Sequence, residues 1–356
     1  MGSRLGRPGH ASYKIEGMQG EPFERIPSPT PAPPPPDWRS PSLPIAIGVS
    51  SCLLGEEVRF DGGHKKDGYI TGVLAQYFSW VPVCPEMEIG LGTPRETLRL
   101  VGDSERPRMI ATKSGTDLTE AMITYAGQRV RELGEKGLSG YILKRASPSC
   151  GMARVKIYTE DGMPARAGSG LFARALMDAF PLLPVEEEGR LTDPHLRDNF
   201  ITRVFSYRRL TALRDSAPRP ADLVAFHTAH KYLLLAHSPA HYAKLGRLVA
   251  DLKRMPRAEW LERYGEGFLE ALRVRATTRK HVNVLQHIMG FFKDHLTAGE
   301  KRELLGLIAD YAGGLVPLIV PITLINHYVA RFEVTYVAEQ VYLHPHPKEL
   351  MLRNHL

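Results

Sequence analysis

Short apolar runs and one strongly periodic segment dominate the pattern from residue 44 onward. LPIAIGVSS, FSWVPVC and GLSGYILK are short, β-rich runs bounded by Pro, Ser and Gly. Between the last two lies a segment with apolar residues at helical spacing: Met122, Ala126, Val130 and Leu133. Asp117 or Thr119 is expected to cap this helix, and Gly134 or Gly137 to end it. Strand, helix and strand in this order predict a parallel α/β sheet.

The second half of the chain shows helical patterns throughout. Residues 191–221 are predicted to form a connecting helix and a Pro-bearing linker, and residues 222–356 an all-α domain with a long helix at about 266–296. Residues 44–190 are the predicted α/β domain. Residues 1–43 include PSPTPAPPPPDW, a Pro-rich tract that predicts an extended or disordered tail. The expected architecture is an α/β domain with a parallel sheet, followed by an all-α domain.

Composition narrows the class of protein. The chain has 43% apolar and 24% charged residues, which is typical of globular proteins. Its 3 cysteines cannot form a disulfide framework, so free or metal-bound thiolates in a reducing compartment are expected. No N-terminal run resembles a secretory signal, and the longest apolar run is shorter than the ~20 residues that a membrane span needs. These features predict a soluble, cytoplasmic protein, and the net charge of +7 fits a polyanionic partner.

Each cysteine follows one of the strand-like runs. Cys52, Cys84 and Cys150 lie in loops rich in Pro, Ser and Gly. Because ligands gather at the carboxyl ends of parallel strands, the three thiols are expected to converge at one sheet edge. Three thiolates suit a catalytic zinc with an open fourth position, or a 4Fe–4S cluster with one iron left open. The spacing of the cysteines does not distinguish these two centres.

The residues around the cysteines add candidate chemistry. Glu86, two residues after Cys84, is a candidate for proton transfer, and Ser147, three residues before Cys150, could orient a water or a substrate atom. Elsewhere these residue types are usually an exposed glutamate and a turn-forming serine. Four further residues are expected to line the same pocket, with the arginine as an anion contact: Asp61, His64, Thr93 and Arg95.

A Gly-rich segment offers a further candidate. AGSGLFARA, with Gly168, Gly170 and Ala173, has the pattern of a phosphate-cradling turn that leads into a helix, although an ordinary helix N-terminus is the favoured interpretation.

The motifs SSCLLG, VRFDGGHK, PVCPE, GTPRE and LKRASPSCG resemble the bacterial thiouracil desulfidase family over roughly residues 44–188. The helical remainder resembles the domain often fused after it, an arrangement similar to desulfidases that remove sulfur from 4-thiouridine in tRNA. The resemblance implies a 4Fe–4S cluster on Cys52, Cys84 and Cys150, with iron favoured over zinc. It also implies that Glu86 and Ser147 act in catalysis.

The resemblance further implies a non-redox reaction, in which the open iron binds the thiocarbonyl sulfur and a water, deprotonated with the help of Glu86, replaces it. The expected substrate is tRNA that contains 4-thiouridine. Two alternatives stay open: a desulfidase of free thiouracil or another small thioamide, and a non-catalytic iron–sulfur or zinc sensor that binds RNA.

A basic stripe in the helical domain predicts RNA contacts. Residues 222–356 carry 17 Lys and Arg against 13 Asp and Glu. Arg275 and Arg279 are four residues apart, with Lys280 adjacent and Asn283 and His287 continuing the stripe. Such a face suits a phosphate track, and an ordinary solvated helix face is the structural alternative.

Overall fold

The three strand-like runs form neighbouring strands of one parallel sheet in the computed structural model of the chain. β1 (Ile45–Ser50) pairs in parallel with β2 (Phe78–Val83) and β5 (Tyr141–Leu143). β8 (Val185–Glu187) extends the sheet by pairing in parallel with β5. The strand order β2-β1-β5-β8 confirms the predicted parallel α/β sheet.

The structure describes Trp38, Pro41, residues 43–159 and residues 162–356, without the side chains of 165–167. The predicted tail over residues 1–43 therefore lies outside the described residues, apart from Trp38, Pro41 and Leu43. Trp38 departs from that prediction. Its side chain is 5% exposed and packs against Phe226, with ring centroids 5.0 Å apart, in the core of the helical region.

A second, mixed sheet is formed by strands from both sides of the Cys150 loop, and the sequence analysis missed it. β3 (Leu98–Val101) pairs antiparallel with β4 (Arg108–Ala111) and in parallel with β6 (Val155–Tyr158), which pairs antiparallel with β7 (Pro164–Gly168). β3, β4 and β6 have only 4 residues each and include arginine or lysine. Their alternation covers too few positions to produce a clear strand pattern.

Two helices cover one face of the parallel sheet. α2 (Thr119–Gly134) buries the four apolar residues that its spacing predicted, and α3 (Leu171–Ala179) packs beside it in the same core. Asp117 accepts a hydrogen bond from the Thr119 N–H at 2.9 Å, but the N-cap of α2 is Leu118 and has no side-chain cap, so neither predicted residue holds the cap position. Tyr141 and Leu143 of β5 face this core, whereas Ile142 faces the opposite side.

The predicted connecting helix belongs to two cores at once. α4 (Pro194–Asp215) places Phe200, Ile201 and other N-terminal residues against the second face of the parallel sheet. Leu210 and Leu213, near its C-terminal end, belong to the core of the helical region. Apolar side chains are therefore buried around α4, which is part of the hydrophobic core rather than an exposed linker.

The rest of the chain is helical, as predicted. Its elements are α5 (Pro220–Ala229), α6 (Lys231–His237), α7 (Pro239–Ala250), α8 (Arg257–Arg273), α9 (Thr278–Met289), α10 (Ala298–Ala312), α11 (Ile319–Phe332) and α12 (Thr335–Ala338). Within the described chain, no helix is both long enough and apolar enough to span a bilayer.

The single long helix predicted at about 266–296 is wrong. α8 ends at Arg273, Val274 is extended, and α9 begins at Thr278. Thr277 starts the new helix because its hydroxyl accepts a hydrogen bond from the Lys280 N–H at 3.4 Å. Apolar residues continue at helical spacing through this region, but the cap at Thr277 divides it into two helices.

Candidate active site

The three cysteines line one cleft at the carboxyl edge of the parallel sheet. Cys52 lies in a short helical turn after β1, Cys84 is the N-cap of α1 (Pro85–Glu88) after β2, and Cys150 lies in the loop after β5. β1 is the central strand between β2 and β5, so their ends meet at the same edge. All three are free thiols, and the cleft has a volume of ≈ 230 Å³. This placement agrees with the convergence expected from the sequence.

Burial keeps these thiols protonated unless a cation replaces the proton. It raises the pKa of Cys52 from 9.0 to about 11, partly offset by the positive charges of Lys144 and Arg59. Burial also raises the pKa of Cys84 and that of Cys150. Thiolate ligands must lose their proton on binding a metal, so metal binding would release protons here.

The donor set of the cleft fits an iron–sulfur cluster. Among the described residues, no group of three or more His, Cys, Asp or Glu converges closely enough to hold a single metal ion. Three thiols nevertheless face one cleft, and the hydrogen-bond contacts of two of them are long: Cys84 Sγ lies 3.8 Å from the Val58 carbonyl oxygen and Cys150 Sγ 3.7 Å from Ser149 Oγ. Soft thiolate donors spread around a cavity suit a polynuclear iron–sulfur centre.

Glu86 is held in the cleft on both of its oxygens. Arg95 donates to Glu86 Oε2 from Nε at 3.1 Å and from a terminal nitrogen at 2.7 Å. The hydroxyl of Ser149 donates to Glu86 Oε1 at 2.7 Å. The ion pair is well shielded, with side-chain exposures of 6% for Arg95 and 15% for Glu86. The orientation of the carboxylate is therefore fixed by two partners from different loops.

Arg95 has a different role from the free anion contact that the sequence suggested. Besides Glu86, its terminal nitrogens donate to the Val58 and Gly92 carbonyl oxygens at 2.9 and 2.8 Å. These bonds occupy the guanidinium, so Arg95 fastens Glu86 to the loop that carries Val58.

Ser147 supports the loop of Cys150. Its Oγ accepts hydrogen bonds from the N–H groups of Ser149 at 3.2 Å and Cys150 at 3.1 Å, and lies 2.9 Å from Ser149 Oγ. Because Ser149 donates its proton to Glu86, Ser147 is the donor to Ser149. The hydroxyl in contact with Glu86 is thus Ser149, which the sequence analysis missed; the only signal for it was the second serine in SPSC.

Three predicted pocket residues lie away from the cleft lining. Asp61 is exposed and accepts a hydrogen bond from the Gly63 N–H at 3.2 Å, and His64 accepts one from the Lys66 N–H at 3.1 Å. Thr93 is exposed and is also absent from the lining. The polar turn that follows Cys52 folds outward after residue 60. The cleft is lined instead by the residues before it, Arg59 and Phe60.

The Gly-rich turn supports the Cys150 loop. Gly170 is the N-cap of α3, and the first N–H groups of that helix donate to the cysteine loop: Leu171 to the Pro148 carbonyl oxygen and Ala173 to that of Ser149, both at 3.1 Å. Two of the donors that a phosphate would need are occupied, which supports the ordinary helix N-terminus that the sequence favoured over the phosphate-cradling interpretation.

The candidate RNA contacts are divided between surface and core. Arg275, in the connection between α8 and α9, and Arg279, in the first turn of α9, are exposed. Lys280 is half-buried, and its ammonium donates to the His237 and Arg275 carbonyl oxygens at 2.6 and 3.4 Å. Lys280 thus joins two helices, and the exposed part of the stripe consists of Arg275, Arg279 and the polar residues Asn283 and His287.

Comparison with known proteins supplies a family. The family model described as 2-thiouracil desulfurase matches residues 47–188, which include the whole cleft, and a second, described as a protein of unknown function (DUF1722), matches residues 231–347. The chain is 35% identical over 138 residues to the uncharacterized protein YbbK of Bacillus subtilis, covering 90% of that protein and 37% of this chain. It is 31% identical over 158 residues to the uncharacterized protein YbgA of Escherichia coli, covering 94% of that protein and 44% of this chain.

One solved structure is also similar to this chain in sequence. The chain is 30% identical to the 4Fe-4S-dependent thiouracil desulfidase TudS, over 93% of that protein and 42% of this chain, with a TM-score of 0.34. Sequence identity over 90% of YbbK and 94% of YbgA carries the relationship. The family model and the two relatives confirm the resemblance found from the sequence motifs: this chain belongs to the 2-thiouracil desulfurase family, and it is a desulfidase.

Proposed function

We propose that this protein is an iron–sulfur-dependent desulfidase that converts 4-thiouridine in tRNA to uridine and releases sulfide. The observation that carries the proposal is one cleft in which three free thiols from adjacent strand ends surround an ion-paired glutamate. The relationship to TudS, which is named a 4Fe-4S-dependent thiouracil desulfidase, supports the cofactor and the reaction.

Cys52, Cys84 and Cys150 would hold the cluster. When bound, a 4Fe–4S cluster with three cysteine ligands supplies an iron that can accept the thiocarbonyl sulfur as a Lewis acid. A catalytic zinc on the same three thiols, with an open fourth position, is the alternative centre.

The residues of the chain provide proton transfer and orientation. Glu86 takes a proton from the attacking water, and Arg95 and Ser149 hold its carboxylate in place for that step. Ser147 donates to Ser149, so the two hydroxyls form a short relay that ends at Glu86. Water supplies the new carbonyl oxygen, the C–S bond breaks, and sulfur leaves with two protons as hydrogen sulfide. The balance requires no oxidant or reductant.

The helical region supports tRNA as the substrate. Its excess of positive charge and the exposed side chains of Arg275 and Arg279 suit contacts to a phosphate backbone, which dominate the affinity of proteins for RNA. A desulfidase for free thiouracil is the second candidate, because TudS is named for that base.

Anaerobic reconstitution with iron and sulfide, followed by incubation with tRNA containing 4-thiouridine, tests the proposal. Loss of the near-ultraviolet absorbance of the thiobase and release of sulfide are expected from the native protein and not from Cys150→Ala. Glu86→Gln is expected to retain the cluster and tRNA binding but to lose turnover. A cluster-loaded protein that desulfurates free thiouracil but not tRNA would establish the second candidate, and retained turnover in Glu86→Gln would refute the assigned role.

The helical region is tested by the affinity for tRNA. The double variant Arg275→Ala with Arg279→Ala is expected to bind tRNA more weakly and to show a smaller dependence on salt concentration. Unchanged affinity at every salt concentration would remove this stripe from the RNA interface.

A further inference from the structure

The loop that carries Cys150 has a strained residue near each of its ends. Ala146 has a φ of 58° where the loop begins, and Arg154 has a φ of 57° where it ends. Both angles lie in the left-handed region, which is unfavourable for a residue with a side chain because the Cβ crowds the backbone. Such conformations persist only where the surrounding structure holds them. The loop therefore needs contacts that hold it at these two points.

The start of the loop is held by Glu188, which directly follows β8. Its Oε2 accepts a hydrogen bond from the Arg145 N–H at 2.8 Å, and its Oε1 is paired with Lys144 Nζ. The pair is well shielded from water. Arg145 directly precedes Ala146, so these bonds fix the backbone next to the first left-handed residue.

The end of the loop is held by Glu187, the last residue of β8. Its Oε1 accepts hydrogen bonds from the Met152 N–H at 2.9 Å and the Ala153 N–H at 3.5 Å. The residue is only 7% exposed, so the N–H groups of the loop replace the water that a carboxylate otherwise needs. Ala153 directly precedes Arg154, the second left-handed residue.

Glu186 differs from its two neighbours in what it binds. It is 6% exposed and lies on the same strand, but its carboxylate accepts hydrogen bonds from Arg190 Nε at 2.5 Å and from the Glu187 N–H at 3.0 Å. The three consecutive glutamates are therefore divided: one binds the segment after β8, and the other two bind the cysteine loop.

We propose that Glu187 and Glu188 are positioning residues that clamp the two ends of the Cys150 loop and so hold Cys150 in place for the cluster. Neither residue lines the cleft, and β8 carries no cysteine. The inference rests on the proposed function for the role of Cys150 and extends the machinery of the site to the fourth strand of the parallel sheet.

Amide hydrogen exchange of the metal-free protein is the first readout, because it needs neither cluster nor substrate. In the native protein the Arg145 and Met152 N–H groups should be protected, since each is bonded to a shielded carboxylate. Glu187→Ala should speed exchange at Met152 about tenfold, and Glu188→Ala should do so at Arg145. Glu187→Gln keeps an acceptor oxygen and should keep the native protection.

Retention of the cluster is the second readout. After anaerobic reconstitution, the rate at which EDTA removes iron should rise about 10-fold or more in Glu187→Ala and in Glu188→Ala, as is usual when a partner of a metal ligand is lost. Glu186→Ala is the matched control, because it removes an equally buried carboxylate from the same strand. It should leave iron release and the exchange of both loop amides as they are in the native protein.

A second substitution separates positioning of the loop from general stability. Arg154→Gly should reverse most of the rise in iron release caused by Glu187→Ala, because glycine adopts the left-handed conformation without strain. A glutamate that only stabilised the fold would not be compensated in this way, so failure of the reversal would count against the clamp.

The outcomes separate this inference from the proposed function. Rapid exchange of both loop amides in the native metal-free protein would overturn the inference, and this result needs no variant to fold. Equal exchange and iron release in the three alanine variants would overturn it too. A cluster-loaded native protein that desulfurates no thiobase would refute the proposed function, while loop protection that depends on Glu187 and Glu188 would still support the clamp.

Discussion

Replacement of Gly170 by alanine should displace the loop that carries Cys150. Gly170 stands at the start of α3, where an added Cβ would lie 2.4 Å from the Ser149 carbonyl oxygen, 2.5 Å from the Ser149 carbonyl carbon and 2.9 Å from the Pro148 carbonyl oxygen. All three are backbone atoms, so no rotation of a side chain can relieve the contact. The helix and the cysteine loop must move apart.

The size of the effect follows from the contacts that would be lost. Restoring an ordinary separation requires a movement of about 1 Å. That movement stretches three hydrogen bonds between the two segments: Leu171 to Pro148 and Ala173 to Ser149, both 3.1 Å, and Gly170 to Gly151, 2.8 Å. At about 1 kcal/mol for each bond, the free energy of unfolding should fall by roughly 2–3 kcal/mol. Because Cys150 moves with the loop, the iron content after reconstitution should fall too.

Gly127 is the matched control. It lies within α2, and a Cβ built there meets no atom within 4 Å. Gly127→Ala should therefore raise the free energy of unfolding by up to about 1 kcal/mol through helix propensity alone. Chemical denaturation followed by circular dichroism measures stability, and iron and sulfide analysis after anaerobic reconstitution measures cluster loading. If Gly170→Ala matches the native protein in both, the close packing of α3 on the cysteine loop does not control the site.

Three further predictions follow from the site and the core. Ser149→Ala removes the donor to Glu86 Oε1 and should lower kcat about tenfold with normal iron content. Ser147→Ala leaves two backbone N–H groups of the cysteine loop without their acceptor and should lower the iron content first. Equal iron content in both variants would contradict these separate roles of the two serines. Arg95→Ala leaves the Glu86 carboxylate shielded from water and without its ion-pair partner. A urea titration should show a loss of about 3 kcal/mol in the free energy of unfolding. An unchanged value would mean that the pair is well solvated in the native protein. Burial lowers the pKa of His227 and His237 from 6.5 to about 4, and that of His281 from 6.5 to about 3. The unfolded chain therefore binds protons first, so the stability that is complete above pH 6.5 is lost as pH falls from 6.5 toward 4. At pH 5 each histidine should lower the free energy of unfolding by about 2 kcal/mol, and urea midpoints that stay level between pH 7 and 5 would refute this prediction.

Much of the sheet edge that carries the three cysteines was predictable because it depends on local order along the chain. β1, β2 and β5 carry continuous apolar runs, and α2 carries its apolar residues at a helical period, so these elements follow from pattern alone. Once three parallel strands are recognised, their carboxyl ends must lie at the same edge of the sheet. The convergence of Cys52, Cys84 and Cys150 on one cleft is a consequence of that topology.

The sequence by itself determined the parallel sheet, the helical second half and the residues of the cleft that follow a strand directly. Only the tertiary structure decided that Ser149 rather than Ser147 contacts Glu86, and that Asp61 and His64 turn away while Arg59 and Phe60 face inward. It also decided that α4 belongs to two cores. The physical reason is the same in each case: periodicity reports which residues are buried, whereas the partner of a polar side chain depends on loops distant in sequence, as Arg95, Glu86 and Ser149 illustrate.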